Sequence, residues 1–236
     1  MIWQEYGQQS RFQGGITETA DTTPPSFVNA SLNYTTGILT IFMTETIDTT
    51  PDELVFPSRL ALKNEHGQSY QLTGATVYAL DHTSVTITLT ESVRARALRM
   101  SAMRGGMYGV NGVLLDAAVE ALQDIARVKN AMATNISVLE LEDIRSPTIQ
   151  SCTVAYATGM MTVTSDESMR SDLIDVGKIY LSNSVGGKDI NLAGASIIGP
   201  SITGTPSLTV TIRLSEAQRV QAIALSSTQI GRASCR

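Results

Sequence analysis

The feature that most limits what this chain can fold into is an internal repeat. Five short blocks recur in the second half of the sequence: residues 21–25 match 143–147, 34–40 match 156–162, 44–46 match 166–168, 72–77 match 192–197 and 85–91 match 210–216. The first three pairs share a spacing of 122 residues, and the last two have spacings of 120 and 125. Small changes of spacing are typical of loop insertions in a common scaffold. A repeat of this length predicts one folding unit per copy rather than a single large domain.

The repeat also gives the expected domain boundaries. Residues 21–142 form a first unit, and residues 143–229 form a second unit that stops before its last blocks. Residues 16–21 match residues 138–143, and residues 1–20 are therefore interpreted as the tail of a preceding copy. Residues 230–236 look like a translated sequencing adapter. The expectation is therefore a slice of a longer array.

Alternating hydropathy predicts that each copy is built mainly from strands. Residues 26–34, 37–43 and 84–89 alternate branched or apolar residues with Thr and Ser, which is the period-2 pattern of half-buried strands. Leu60 with Leu62, and the run 70–77, add two candidate strands on either side of a turn. Many short strands with intervening turns are typical of a sandwich.

Three segments depart from this alternation. Residues 90–98 and 215–223 each place a hydroxyl residue before Glu and then good helix formers, which predicts the start of a helix. Residues 113–126 carry apolar side chains at helical spacing, and a short helix is favoured there. A strand ending in a turn at Gln123 and Asp124 is the alternative that the repeat would allow.

The motifs of the first copy resemble a known family of repeats. Asp-Thr-Thr-Pro-Pro is followed by a strand, Thr-Gly, a second strand, Glu-Thr-Ile-Asp, Leu-Thr-Gly-Ala and Val-Thr-Ile-Thr-Leu-Thr-Glu. This series is similar to the bacterial immunoglobulin-like repeats of S-layer and giant cell-surface proteins, including the swimming-associated repeats of marine cyanobacteria, and to arrays in algal flagellar hairs. The resemblance implies a mainly β fold of tandem immunoglobulin-like sandwiches, with one or two short helices per repeat, in an extracellular or cell-surface protein.

Composition excludes several classes of function. The chain is 42% apolar and 17% charged with a formal net charge of -5, which is too hydrophobic for a disordered acidic segment. It has no run of basic residues, which argues against a nucleic-acid partner. No stretch approaches the ~20 apolar residues that a membrane helix needs. His66 and His82 both lie in predicted turns and no catalytic motif accompanies them, so we expect no enzyme activity.

Carboxylates near the unit boundaries are the candidate site residues. Calcium binds to oxygen ligands, and acidic residues from the boundary and from a neighbouring loop could supply them. Alternatively, these side chains are solvated and limit edge-to-edge pairing of strands. Both interpretations stay open, and no other cofactor is predicted. The candidate calcium ligands are Glu18, Asp21, Glu45, Glu140, Glu142, Asp143 and Glu167.

Three asparagines and two cysteines raise questions of covalent modification. Asn29, Asn33 and Asn135 begin glycosylation sequons, with unmodified surface asparagine as the alternative. Asn29 and Asn33 are four residues apart in a predicted strand and are expected on one outer face. Cys152 is expected to be a buried free thiol, because Cys235 falls in the adapter-like tail, and a Cys152–Cys235 disulfide is the alternative.

These observations favour a non-catalytic structural or adhesive module whose first partners are neighbouring repeats of the same chain. A second hypothesis is a module that binds a glycan or a protein through an exposed aromatic cluster, with Tyr70, Tyr78, Tyr108 and Tyr180 as candidates. A third is an accessory region of a larger secreted enzyme.

Overall fold

The computed structural model describes residues 18–199, 207–227 and 234–235, and they form a mainly β protein. This confirms the predicted β-rich character, and the sheets are compatible with a β-sandwich. Eight strands belong to the first half of the chain: β1 Phe27–Asn33, β2 Ile38–Ile47, β3 Leu60–Lys63, β4 Ser69–Gln71, β5 Thr76–Val77, β6 His82–Thr88, β7 Leu114–Ala117 and β8 Ala133–Leu141. Seven follow: β9 Ile149–Ala155, β10 Met160–Ser165, β11 Tyr180–Ser182, β12 Ile190–Asn191, β13 Ser196–Gly199, β14 Thr209–Arg213 and β15 Ser234–Cys235.

The first half forms an eight-stranded sheet in the order β4-β3-β7-β8-β1-β2-β6-β5. The long strand β8 links its two parts, because its beginning pairs antiparallel with β7 and its end pairs parallel with β1. Alternate side chains of both parts point into one core, as expected for strands with one buried face. Among the fully buried residues of this core are Tyr34, Leu32, Leu39, Ile41, Ile47, Leu60, Leu62, Ile87, Leu115 and Leu122.

The second half forms two smaller sheets, in the orders β13-β14-β10-β9 and β12-β11-β15. The first of these has the same order as β5-β6-β2-β1 in the first half. A separate core lies between the two sheets. Its most deeply buried members are Met161, Leu192, Val210 and Ile212.

Both predicted helices are present, and each begins with a side-chain cap. Helix α1, Glu91–Met100, starts after Thr90, whose hydroxyl accepts the Val93 amide. Helix α2, Glu216–Ser227, starts after Ser215, which exchanges hydrogen bonds with Gln218 in a capping box. Short 3-10 helices occupy Asp52–Leu54, Pro57–Arg59, Ser171–Leu173 and Val176–Lys178. None of the helices in the described ranges is long and apolar enough to cross a membrane.

The helix favoured over residues 113–126 is wrong. Leu114–Ala117 is strand β7, held between β3 and β8, and the chain then turns towards residue 130. Val119, one of the residues at helical spacing, is 55% exposed, so the spacing does not mark one buried face. Pairing with strands on both sides outweighs a helical period that covers only a few residues.

The expectation of a free thiol at Cys152 is also wrong. Cys152 lies in β9 and is disulfide-bonded. The only other cysteine in the sequence is Cys235, which lies in β15. The interpretation of residues 1–20 as a preceding tail falls almost wholly outside the described residues, as does most of the adapter-like segment 230–236.

Candidate functional site at the joint between the halves

The side chain of Arg94, in the first turn of α1, bonds to residues of both halves of the chain. Its side chain is 8% exposed, yet its guanidinium is surrounded by acceptors. Nε and Nη2 donate to the two oxygens of Glu91, at 2.6 and 2.9 Å. Nη1 donates to the backbone carbonyl of Tyr34 at 2.7 Å. The capped start of α1 therefore holds Arg94 against the turn between β1 and β2.

Arg94 also reaches residues of the second half. Nη1 donates to Oδ2 of Asp143 at 2.7 Å, and Nη2 lies 3.9 Å from Oε1 of Glu167. The backbone amide of Ser168 donates to Oε1 of Glu91 at 2.8 Å. One arginine and one glutamate of the first half thus bind three positions of the second half. We call Glu91, Arg94, Asp143 and Glu167 the joint cluster.

Burial and hydrogen bonding act in opposite directions on the pKa of Arg94, whereas burial dominates the pKa of Glu167. Burial opposes the charged form of Arg94, but its hydrogen bonds to Glu91 and Asp143 dominate and raise its pKa. Burial raises the pKa of Glu167; Arg94 opposes this shift, and the charges of Asp143 and Glu91 add to it. Burying such an ion pair has a desolvation penalty. Removing one partner is nevertheless strongly destabilising, because the remaining carboxylates would have no counter-charge.

Hydrogen bonds made by the side chains of Thr35 and Asp166 fix the connecting segment beside the joint cluster. The Thr35 hydroxyl donates to the carbonyl of Glu142 at 3.0 Å and accepts the amide of Ile144 at 3.1 Å. Further along, Asp166 accepts the Thr148 amide at 2.7 Å and the guanidinium of Arg145 at 2.5 Å. The connection between the halves is therefore held from both sides.

The second half contains the same arrangement at its own helix start. Nε and Nη2 of Arg219 donate to the two oxygens of Glu216 at 2.8 and 2.6 Å, and Nη1 donates to the carbonyl of Tyr156 at 2.9 Å. The Glu-x-x-Arg spacing at both helix starts is the sequence signal that could have identified Arg94 as a site residue. Sequence reasoning missed it because it considered carboxylates alone.

The predicted calcium ligands separate into different environments. Asp143 and Glu167 come together as expected, but around Arg94. Glu140 accepts a very short hydrogen bond from the Tyr34 hydroxyl and another from the Val113 amide at 3.2 Å. Burial, with the nearby Glu140 carboxylate, raises the pKa of Tyr34. Glu18 and Glu142 are exposed.

Asp21 and Glu45 form a second acidic cluster with a residue that the sequence did not single out as a ligand. One carboxylate oxygen from each of Asp21, Glu45 and Asp124 lies within 4.8 Å of the others. Asp124 follows β7 at an antiparallel bridge to Ile47, the last residue of β2. The pairing that brings Asp124 to Glu45 is long-range, so no local spacing announces it. We call these three residues the entry cluster.

The remaining candidates lie apart on the surface. Asn29 and Asn135 are exposed, and Asn33 is half-buried with its side-chain oxygen accepting the amides of Thr35 and Thr36. Both strand asparagines lie on the face opposite Ala30 and Leu32, as expected. Glycosylation stays a prediction. Three of the candidate tyrosines each carry a cation over the ring: Arg96 on Tyr70, Arg99 on Tyr108 and Lys188 on Tyr180.

The joint cluster can hold two folded segments in a fixed relation, since its guanidinium bonds are directional and mostly shielded from water. The chain was also compared with known proteins. No protein-family model matches it, and no curated protein matches it.

Proposed function

We propose that this chain is a non-catalytic structural module: two successive immunoglobulin-like sandwich repeats of a long extracellular or cell-surface protein, acting as a spacer, scaffold or adhesive stalk. In this role each repeat carries its own core, and the joint between repeats sets their relative direction. Extension and orientation are then the properties that the molecule supplies, with neighbouring repeats as the immediate partners.

Agreement between strand registers supports the repeat. Asn33 pairs with Ile38 in the first half, and Ala155 pairs with Met160 in the second, 122 residues later in both strands. Ile87 of β6 and Ile212 of β14 hold the same register against β2 and β10, at a spacing of 125. The spacings read from the sequence therefore recur in the hydrogen bonding of the sheets.

The joint cluster is the observation that carries the proposal. A flexible linker would leave two repeats free to rotate, and domains joined by a small interface move relative to one another by default. Here the first acidic residue of the second half is bound by the guanidinium of Arg94, and the connecting segment is bound by Thr35. Such a contact favours a stiff array over a string of independent units.

The other two hypotheses draw on weaker observations. A glycan- or protein-binding module would need several ring faces open to a ligand, whereas Tyr70, Tyr108 and Tyr180 each have a cation over the ring. Tyr78 is 66% exposed and is the best single candidate for such a contact. An accessory region beside a catalytic domain would use the same stiff joint. It differs from the proposed spacer only in that the array would be attached to a catalytic domain.

Residual dipolar couplings of the full chain test the stiff joint directly. We expect one alignment tensor to fit the amides of both halves, because the joint cluster fixes their orientation. Asp143→Asn removes the charge that Arg94 binds across the joint, and it should cause the tensors of the two halves to diverge while each half keeps its chemical shifts.

The matched control is Glu216→Gln, which alters the helix-start carboxylate of the second half that binds Arg219 of the same half. It should leave the common tensor unchanged. Two different tensors in the unmodified chain, or one tensor that persists in Asp143→Asn, would refute a spacer whose direction is set by this joint.

A further inference from the structure

We propose that the entry cluster, Asp21, Glu45 and Asp124, is a calcium site at the start of the first half. Two oxygens bound to one calcium ion at about 2.3–2.6 Å cannot lie more than about 5 Å apart. The three carboxylate oxygens meet this limit, since all lie within 4.8 Å of one another. Calcium accepts irregular sets of carboxylate, carbonyl and water oxygens, so three protein carboxylates with water suffice as a core.

Asp124 supplies the observation that separates this cluster from ordinary surface acids. It is 3% exposed, and its Oδ1 accepts the Val128 amide at 2.8 Å. Its Oδ2 is buried and accepts no hydrogen bond from an amide, a hydroxyl or a cationic side chain among the described residues. A buried ionised carboxylate oxygen without a partner is costly, and buried charges are normally paired or bound to a metal ion.

Charge balance points the same way. None of the three carboxylates forms an ion pair with any other residue in the described part of the chain. Three ionised carboxylates whose oxygens lie within 4.8 Å of one another repel each other. A divalent cation would relieve that repulsion.

In the second half, the acidic residues that correspond to Asp21 and Glu45 are bound by a positively charged side chain. Asp143 and Glu167 lie 122 residues after Asp21 and Glu45, and their positive partner is the guanidinium of Arg94. The acidic pair at this position of the repeat therefore forms ion pairs with a cationic group in the second half. Three carboxylates meet in the entry cluster, and the two positive charges of calcium offset more of their negative charge than one guanidinium does.

Calcium titration of the full chain by isothermal calorimetry, after dialysis against a chelator, tests the site. We expect one site with a dissociation constant of about 10⁻⁴–10⁻³ M, the range of extracellular calcium modules. Asp124→Asn keeps an oxygen for the Val128 amide but removes the negative charge, and should weaken calcium binding at least about tenfold. Glu45→Gln, at a half-buried position, should weaken it similarly and serves if Asp124→Asn does not fold.

The matched controls are Asp143→Asn and Glu167→Gln, which change the corresponding acids of the second half. Both should leave calcium affinity within about twofold of the unmodified chain. Absence of binding up to about 10 mM calcium, or binding that survives Glu45→Gln but is lost in Asp143→Asn, would overturn the assignment. The assignment would also be overturned if the chain self-associated independently of calcium and if both Arg219→Gln and Asp124→Asn abolished that association. The occupant of the entry cluster would then be the Arg219 guanidinium of a second copy.

Discussion

Beside the end of β2 the first half of the chain is filled with apolar side chains, whereas the described residues of the second half border an apolar groove at the corresponding place. Ala121 and Leu122 are fully buried in the first half, next to Ile47, and the amide of Phe56 donates to Ala121 at 2.8 Å. The residue 122 positions after Ile47 is Met169, and it lines an apolar groove. That groove is bordered also by Ile149, Val163, Ile174, Ile179, Val210 and Ile212.

This difference shows which parts of the fold are local. The hairpin β1–β2 with β6, and its counterpart β9–β10 with β14, form in both halves with the same registers. Closure of the core depends on the segment from β7 to β8, which lies far from β2 in sequence. Contacts of this range are the costly ones to form, since their loop-closure entropy is large.

The largest expected contrast is in the two cores. Ile87→Ala should lower the free energy of unfolding of the first half by about 3–4 kcal/mol, because it leaves an enclosed cavity. Ile212→Ala should cost the second half about 2 kcal/mol, at the low end of the range for a buried isoleucine, because Ile212 already borders the groove and the cavity term is smaller. Urea unfolding followed by amide signals of each half measures both, and equal losses would contradict an open second core.

The two arginines give the next contrast. Arg94→Gln should destabilise the chain by about 3 kcal/mol, since Asp143 and Glu167 would lose their counter-charge in a mostly buried place. Arg219→Gln should cost at most about 1 kcal/mol, because Arg219 and Glu216 are 29% and 69% exposed at their side chains. Thermal unfolding of the two variants, measured side by side, tests this difference. A larger loss of stability in Arg219→Gln than in Arg94→Gln would contradict the greater structural importance assigned to Arg94.

The matched tyrosines should differ less. Tyr34→Phe removes the hydroxyl that donates to Glu140, and we expect a loss of about 1–2 kcal/mol in the first half. Tyr156 is only half-buried, and Tyr156→Phe should change stability by no more than about 0.5 kcal/mol. Chemical denaturation measures this difference. If Tyr34→Phe left the free energy of unfolding unchanged, the hydrogen bond from the Tyr34 hydroxyl to Glu140 would contribute nothing to stability.

The smallest contrast is in pH dependence. The Thr148 amide holds the pKa of Asp166 below its ordinary value of 3.8, so its contribution to stability is complete above that value and is lost as the pH falls through the lowered pKa. The first half has Thr44 at this position, which does not titrate. Burial raises the pKa of Glu167 above 4.5, so its ionised form opposes folding and the opposition fades as the pH falls towards 4.5.

Melting curves between pH 7 and pH 2 follow both effects. Relative to Glu167→Gln, the unmodified chain should gain stability on mild acidification. Relative to Asp166→Asn, it should lose stability at lower pH. Parallel pH profiles for all three proteins would show that neither carboxylate interacts differently in the folded and unfolded chain.

Local patterns in the sequence were sufficient for the strands and helices, and insufficient for the sites. Val85, Ile87 and Leu89 alternate as a strand should, and Thr90 and Ser215 cap the helices as predicted. The segment 113–126 was mispredicted because a few apolar residues match a helical period by chance, and only pairing with β3 and β8 decides the outcome.

The sites depend on contacts between residues that are distant in sequence. Asp21 and Glu45 could be proposed as ligands from their places in the repeat, but Asp124 joins them only through the bridge to Ile47. Arg94 lies 49 residues before Asp143, and nothing near either residue indicates that they meet. The sequence argues against a disulfide at Cys152, because Cys235 falls in an adapter-like tail, and the structure overturns this expectation.

A double-mutant cycle between Arg94→Gln and Asp143→Asn tests the central claim, that one arginine holds the two halves of the chain together. The account predicts a coupling free energy of about 2 kcal/mol for this pair, and a control cycle between Arg219→Gln and Asp143→Asn that is additive within about 0.5 kcal/mol. A coupling below about 0.5 kcal/mol between Arg94 and Asp143, indistinguishable from the control, would contradict it.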